Sequence, residues 1–133
     1  MIKYKKGYKY QLVERWSIST DLRPDHIVVL NPFLFLDVDG KLCIQAGYAW
    51  DGPSGPAIDT KNFMRGSLVH DALYQLMREN LLSFSFRKQA DEELNRICLE
   101  DGMSKLRAWW VYQGVRFGGG PFASIPDEIE TAP

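Results

Sequence analysis

Residues 33–46 read FLFLDVDGKLCIQA. Two apolar runs flank Asp39-Gly40, a dipeptide that suits a two-residue hairpin turn because such a turn needs positive φ. This reading places Leu34, Leu36 and Val38 on one face, opposite Leu42, Ile44 and Ala46. The flanking sequence upstream has the same texture. Across residues 8–18, Tyr8, Tyr10, Leu12, Trp16 and Ile18 alternate with Lys9, Gln11, Arg15 and Ser17, the period of a half-buried strand. Val13 and Glu14 break the alternation and read as a bulge. Residues 27–30 add a short apolar run, so the first half of the chain predicts an antiparallel sheet.

Beyond the hairpin the texture changes. Residues 47–56, GYAWDGPSGP, hold three glycines and two prolines in ten positions, which excludes regular structure and demands a shaped loop. Helical spacing follows. Residues 63–79 carry Val69, Leu73 and Met77, and residues 85–101 carry Ala90, Leu94, Ile97 and Cys98, with Ser85 as N-cap and Gly102 as C-cap. Residues 104–117 carry Leu106, Trp110 and Val111, N-capped by Ser104 and ended by Gly118-Gly119-Gly120. Trp109-Trp110 reads as one core ring and one ring covering the sheet, with an interfacial anchor as the alternative. The expected fold is α+β: a small N-terminal antiparallel sheet followed by three helices, two of them an antiparallel pair. The expected organisation is a single domain over 1–117 and a loose C-terminal arm over 118–133, with no internal repeat.

Composition narrows the function classes. With 133 residues, 45% hydrophobic and 25% charged, the chain is ordinary for one globular domain. Sixteen basic residues against seventeen acidic ones leave a net charge of −1, which gives no general electrostatic case for nucleic acid or an anionic membrane. Lys3, Lys5, Lys6 and Lys9 read as solubilising lysines on an edge strand. Cys43 and Cys98 make no disulfide framework and read as small buried hydrophobes. The N-terminus has lysines but no apolar core of a signal peptide, and no apolar run approaches the roughly 20 residues of a membrane span.

Four features line up along the second half: the loop YAWDGPSG at 48–55, HDALY at 70–74, a short turn, and RKQAD at 87–91. His70 and Tyr74 are four apart and share a helix face, while Asp71 points to the neighbouring face. If the helices run antiparallel, Asp91 meets His70 and Tyr74. A carboxylate there fixes the imidazole tautomer, as a general base requires. Asp71 is then left to face the Gly-rich loop, whose backbone carbonyls with one or two carboxylates suit a hard cation such as calcium. Asp51 reads either as a second metal ligand or as the acceptor of an Asx-turn around Ser54.

The HDxxY motif resembles the catalytic helix of phospholipase A2 enzymes. The whole string of loop, HDxxY and AD looks especially like the compact, disulfide-free type found in parvovirus capsid proteins. The resemblance covers roughly 48–102. It implies that His70 is the base that activates water, that Asp91 orients it, and that Tyr74 hydrogen-bonds Asp91. It also implies calcium bound by Asp71 and by loop carbonyls, with Tyr48, Trp50 and Gly52 as candidates beside Asp51, and a lipid or other ester as substrate. Pro53 and Pro56 depart from the pattern, removing two N–H donors and leaving Gly52, Ser54 and Gly55 to hold an oxyanion. A second pattern, GYxxDGxSxP, HDxLY, RxxAD and VRFGG, is similar to a phage-encoded family of unknown function and covers 44–119. It implies a location in the bacterial host's cytoplasm or on the virion. The alternative to an enzyme is a non-enzymatic module that binds a virion or host protein through the tail and the aromatic surface.

Overall fold

The computed structural model describes residues 4–5, 10–50 and 61–124, with side chains at 10–50 and 61–118. The strands come first and form two small antiparallel sheets. One holds β1 (Tyr4–Lys5), β2 (Tyr10–Leu12) and β7 (Ala49–Trp50); the other holds β3 (Trp16–Ser19), β6 (Lys41–Ile44), β5 (Leu34–Leu36) and β4 (Val28–Leu30), in that order. The helices follow as α1 (Lys61–Arg78), α2 (Arg87–Glu100) and α3 (Lys105–Ser124), with a single 3-10 turn (Phe84–Phe86) leading into α2. The mixed α+β class read from the periodicities is the observed one.

The expected bulge at Val13 and Glu14 is instead a break between strands. Tyr10 and Leu12 bury their side chains and pair β2 with β7, whereas Trp16 begins β3 and pairs with Ile44 of β6. The intervening Val13, Glu14 and Arg15 are exposed, so the chain leaves one sheet and enters the other there. The hairpin register matches Leu36 with Leu42 and Leu34 with Ile44. Its connection has three residues rather than two. Asp37 and Lys41 close the ladder, Gly40 takes φ 90°, and Asp39 stays at negative φ, the pattern of a type I turn followed by a left-handed glycine. Asp37 Oδ1 accepts the N–H groups of Asp39 and Lys41, each at 2.9 Å, and so rewards that longer loop. Val38 and Ala46 consequently end up exposed, outside the buried face they were expected to extend.

Helix ends follow local chemistry. Gly102, at φ 98°, closes α2 with Met103 N–H on Cys98 O at 2.9 Å, and Ser104 Oγ caps α3 by accepting Arg107 N–H at 3.2 Å. Ser83, not Ser85, is the residue that caps the turn before α2. Gly118 does not end α3, which continues through the three glycines to Ser124. A glycine stops a helix when it turns left-handed, as Gly102 does, and Gly118 keeps a negative φ. The expected loose arm over 118–133 is therefore helical as far as Ser124, and its remainder lies outside the described residues.

Contacts along α1 and α2 run in opposite directions: Arg65 reaches Asp101, Gly66 abuts Leu94 and Cys98, and His70 meets Asp91. The pair is antiparallel. Gly66 lets the helices approach closely, since a Cβ there would sit 2.9 Å from Leu94 Cδ1. Leu12, Leu36, Leu42 and Ile44 from the sheets share one core with Leu68, Leu73 and Leu76 of α1.

Candidate active site

Two rows of α1 divide its work. Ser67 and Gln75 are eight residues apart and lie on one side of the helix. Trp50 Nε1 donates to Ser67 Oγ at 3.1 Å, and the Tyr48 hydroxyl donates to Gln75 Oε1 at 2.9 Å. These two bonds fasten the end of the sheet to α1. Asp71 lies midway in the same i, i+4, i+8 row, so it belongs to the side of α1 that meets β7, and it is only half-buried.

His70 and Tyr74 form the adjacent row and face α2. His70 Nε2 lies 2.7 Å from Asp91 Oδ1, and the Tyr74 hydroxyl donates to the same oxygen at 2.6 Å. The two rings lie against each other at a 37° tilt, 4.1 Å between centroids. The expected trio is therefore assembled. Because Nε2 faces the carboxylate, the neutral imidazole carries its hydrogen there and leaves Nδ1 as the basic atom. No described residue hydrogen-bonds Nδ1. His70 retains 8% of its surface accessible, whereas Asp91 has none.

A fully buried carboxylate requires compensation. Arg116 of α3 supplies it, donating from Nη1 to Asp91 Oδ2 at 2.8 Å. Arg87 stands one turn before Asp91, with Nε 4.0 Å from Oδ2 and 3.3 Å from the Tyr74 hydroxyl. Its Nη2 also donates to the carbonyl of Val115 at 2.9 Å and to that of Arg116, so it secures the same stretch of α3. Burial alone would push the Asp91 carboxyl up; the hydrogen bonds from His70 and Tyr74, the charge attraction of His70 and the bond from Arg116 outweigh it and hold the group below the usual carboxylate value. Tyr74 moves the other way. Its burial, and then its bond to Asp91, keep the phenol protonated well above its ordinary range.

Neither arginine was assigned a role from the sequence. Arg87 carried one signal, its i, i+4 spacing to Asp91. Arg116 stands in the VRFGG element of the second pattern, as Arg87 does in RxxAD, but nothing in the sequence pairs it with Asp91, 25 residues earlier.

The proposed cation ligands are only partly described. Tyr48 and Trp50 are buried, and the Tyr48 carbonyl accepts Leu12 N–H at 2.8 Å within the sheet ladder. Trp50 belongs to β7, opposite Tyr10. Asp51 and Gly52, together with Ser54, Gly55 and the two loop prolines, lie outside the described residues. Among the described residues, no three His, Cys, Asp or Glu side chains converge as a metal site. Asp71 is the described carboxylate of the set, half-buried in the row of α1 that also holds Ser67 and Gln75.

Other reactive groups are occupied elsewhere. Burial pushes the Cys98 thiol up to about 12, so it is no thiolate nucleophile. Glu93 is buried but accepts Asp21 N–H at 2.8 Å and pairs with Arg96, a structural tie between α2 and the strand region. No helix among the described residues is long and apolar enough to cross a membrane. Compared with protein-family models, curated proteins and solved structures, the chain matches none.

Proposed function

We propose that this chain is a phage-associated hydrolase of the phospholipase A2-like kind, cleaving a lipid or other ester by activated water. The observation that carries this reading is the 2.7 Å contact between His70 Nε2 and the buried Asp91 carboxylate, with Nδ1 left as the base. Such a pair is what general-base catalysis requires: an imidazole held in one tautomer by an oriented carboxylate.

In this mechanism a water oxygen attacks the ester carbonyl carbon while His70 Nδ1 takes the water's proton. The carbonyl π electrons move onto oxygen; their return expels the alkoxide, which receives the proton from His70. Asp91 holds the imidazole throughout, and Tyr74 and Arg116 hold Asp91. A calcium ion, when bound, supplies positive charge for the carbonyl oxygen, and Asp71 with carbonyls of the 48–55 segment would hold it. The Tyr48 carbonyl is already engaged with Leu12, which leaves the later loop residues as the better donors.

The test is ester release from mixed phospholipid vesicles and from a soluble short-chain ester, with and without calcium. His70→Ala should lower the rate at least ~100-fold, the scale of a lost general base. Equal rates in wild type and His70→Ala would refute the reading. So would a correctly folded wild type that is inactive on both substrates with every metal tried.

A further inference from the structure

Successive residues of a strand point to opposite faces of its sheet. In the four-stranded sheet Leu34, Leu36, Leu42 and Ile44 are buried in the core shared with α1, so their sequence neighbours face away from it. The registers set Ser17, Cys43, Phe35 and Val29 in one cross-strand row on that outer face. At the end of the sheet beside this row lies a hollow of about 270 Å³. Val29, Pro32 and Phe35 give it apolar walls, and Arg15, Asn31 and Gln45 line it with polar groups. Val29 is 39% exposed although it sits in the middle of β4.

The polar groups define the ligand. Among the described residues the side chains of Arg15, Asn31 and Gln45 make no hydrogen bond or ion pair, and no carboxylate lines the hollow. A guanidinium fork without a partner recognises an oxyanion. One cation suits a monoanion such as a carboxylate, whereas phosphate recognition gathers several arginines. Each carboxamide offers both donors and an acceptor. A plain hydrocarbon acid would leave both carboxamides idle, while an amide beside the carboxylate would use them. The hollow is smaller than the usual pocket for a drug-sized ligand, so it has room for one residue and its amide rather than for a whole lipid. A carboxylate, an amide and one apolar side chain on a common carbon make up the last residue of a peptide.

We infer that this hollow binds the C-terminal residue of a peptide, with the carboxylate on Arg15, the last amide on Asn31 and Gln45, and an apolar side chain against Val29, Pro32 and Phe35. The site is built from the sheet without His70, Asp71 or Asp91, and it does not depend on the hydrolytic reading.

The test titrates isotope-labelled protein with N-acetylphenylalanine and follows the side-chain N–H signals of Arg15, Asn31 and Gln45 by NMR. These signals should shift together and saturate, with a dissociation constant of about a millimolar, as a ligand of this size allows. N-acetylphenylalaninamide, which lacks the charge, should bind about tenfold more weakly, and 3-phenylpropionate, which lacks the amide, about fivefold more weakly. The pentapeptide GSGAF with a free C-terminus should bind at least as tightly as the acetylated residue. Arg15→Gln should lose about tenfold with an unchanged melting temperature, since the side chain is exposed and holds no described partner. His70→Ala should bind as wild type does. Shifts that rise without saturating would overturn the inference, as would an undiminished affinity in Arg15→Gln. Equal binding of 3-phenylpropionate would overturn it in favour of a plain aromatic acid, and a pentapeptide that fails to bind would do so in favour of a free acylated amino acid. Binding lost in His70→Ala and kept in Arg15→Gln would place the ligand at the dyad and overturn it equally.

Discussion

Arg116 sets a guanidinium nitrogen 2.8 Å from the outer oxygen of Asp91, so the last helix is fastened to the same side chain that orients His70. In Arg116→Met that oxygen keeps, among the described residues, only Arg87 nearby, at 4.0 Å, beyond hydrogen-bond reach. Stripping one partner from a buried charge pair should cost about 3 kcal/mol in urea unfolding. Arg116→Lys, which keeps the charge and loses the planar fork, should recover part of it. A methionine variant as stable as wild type would show that Asp91 is satisfied without α3.

The pH dependence of stability should carry Asp91's signature at the acid end. Its folded-state value lies below the unfolded one, so its contribution is complete above about pH 4 and disappears as pH falls through the folded value. Asp91→Asn should flatten that acid limb while lowering stability at neutral pH. Tyr74 acts at the other end. Its value is raised on folding, so its contribution is complete below about pH 10 and is lost progressively above it. Tyr74→Phe should therefore remove part of the alkaline fall in melting temperature, and identical alkaline limbs would contradict the buried, protonated phenol.

Calcium at millimolar level should raise the melting temperature of the wild type. A ligand of the folded state alone stabilises by ~2.7 kcal/mol at a hundredfold excess over its dissociation constant, which is several degrees for a domain of this size. Magnesium should do less, because it dehydrates reluctantly and demands stricter geometry. Asp71→Asn should remove most of the calcium effect. A wild-type melting curve indifferent to calcium would make Asp71 a fold residue only.

Gly40 tests the hairpin. A Cβ there would lie 2.4 Å from Thr20 O and 2.6 Å from Leu22 O, at a φ of 90° that side chains avoid. Thr20 also sends both its N–H and its hydroxyl to Gly40 O, at 2.8 Å and 2.7 Å. Gly40→Ala should destabilise by about 3 kcal/mol, combining left-handed strain with backbone overpacking. Chemical denaturation measures this, and a near-neutral result would mean that the 20–23 segment yields easily.

What the sequence by itself determined is the part governed by a few neighbouring residues. Alternation wrote β5 and β6, 3.6-residue spacing wrote the three helices, and Gly102 and Ser104 marked the boundary between α2 and α3. The i, i+4 spacing of His70 and Tyr74 also put them on one face, so their meeting with Asp91 needed only an antiparallel partner. Tertiary structure decided what depends on distant packing. It split the first long strand between two sheets, lengthened the hairpin turn around Asp37, carried α3 past Gly118, and turned both tryptophans outward. It also delivered Arg116 to Asp91 from 25 residues away. Periodicity and caps are local energies of about a kilocalorie each, whereas a buried carboxylate imposes a cost several times larger that whichever cation the packed helices bring nearest must offset.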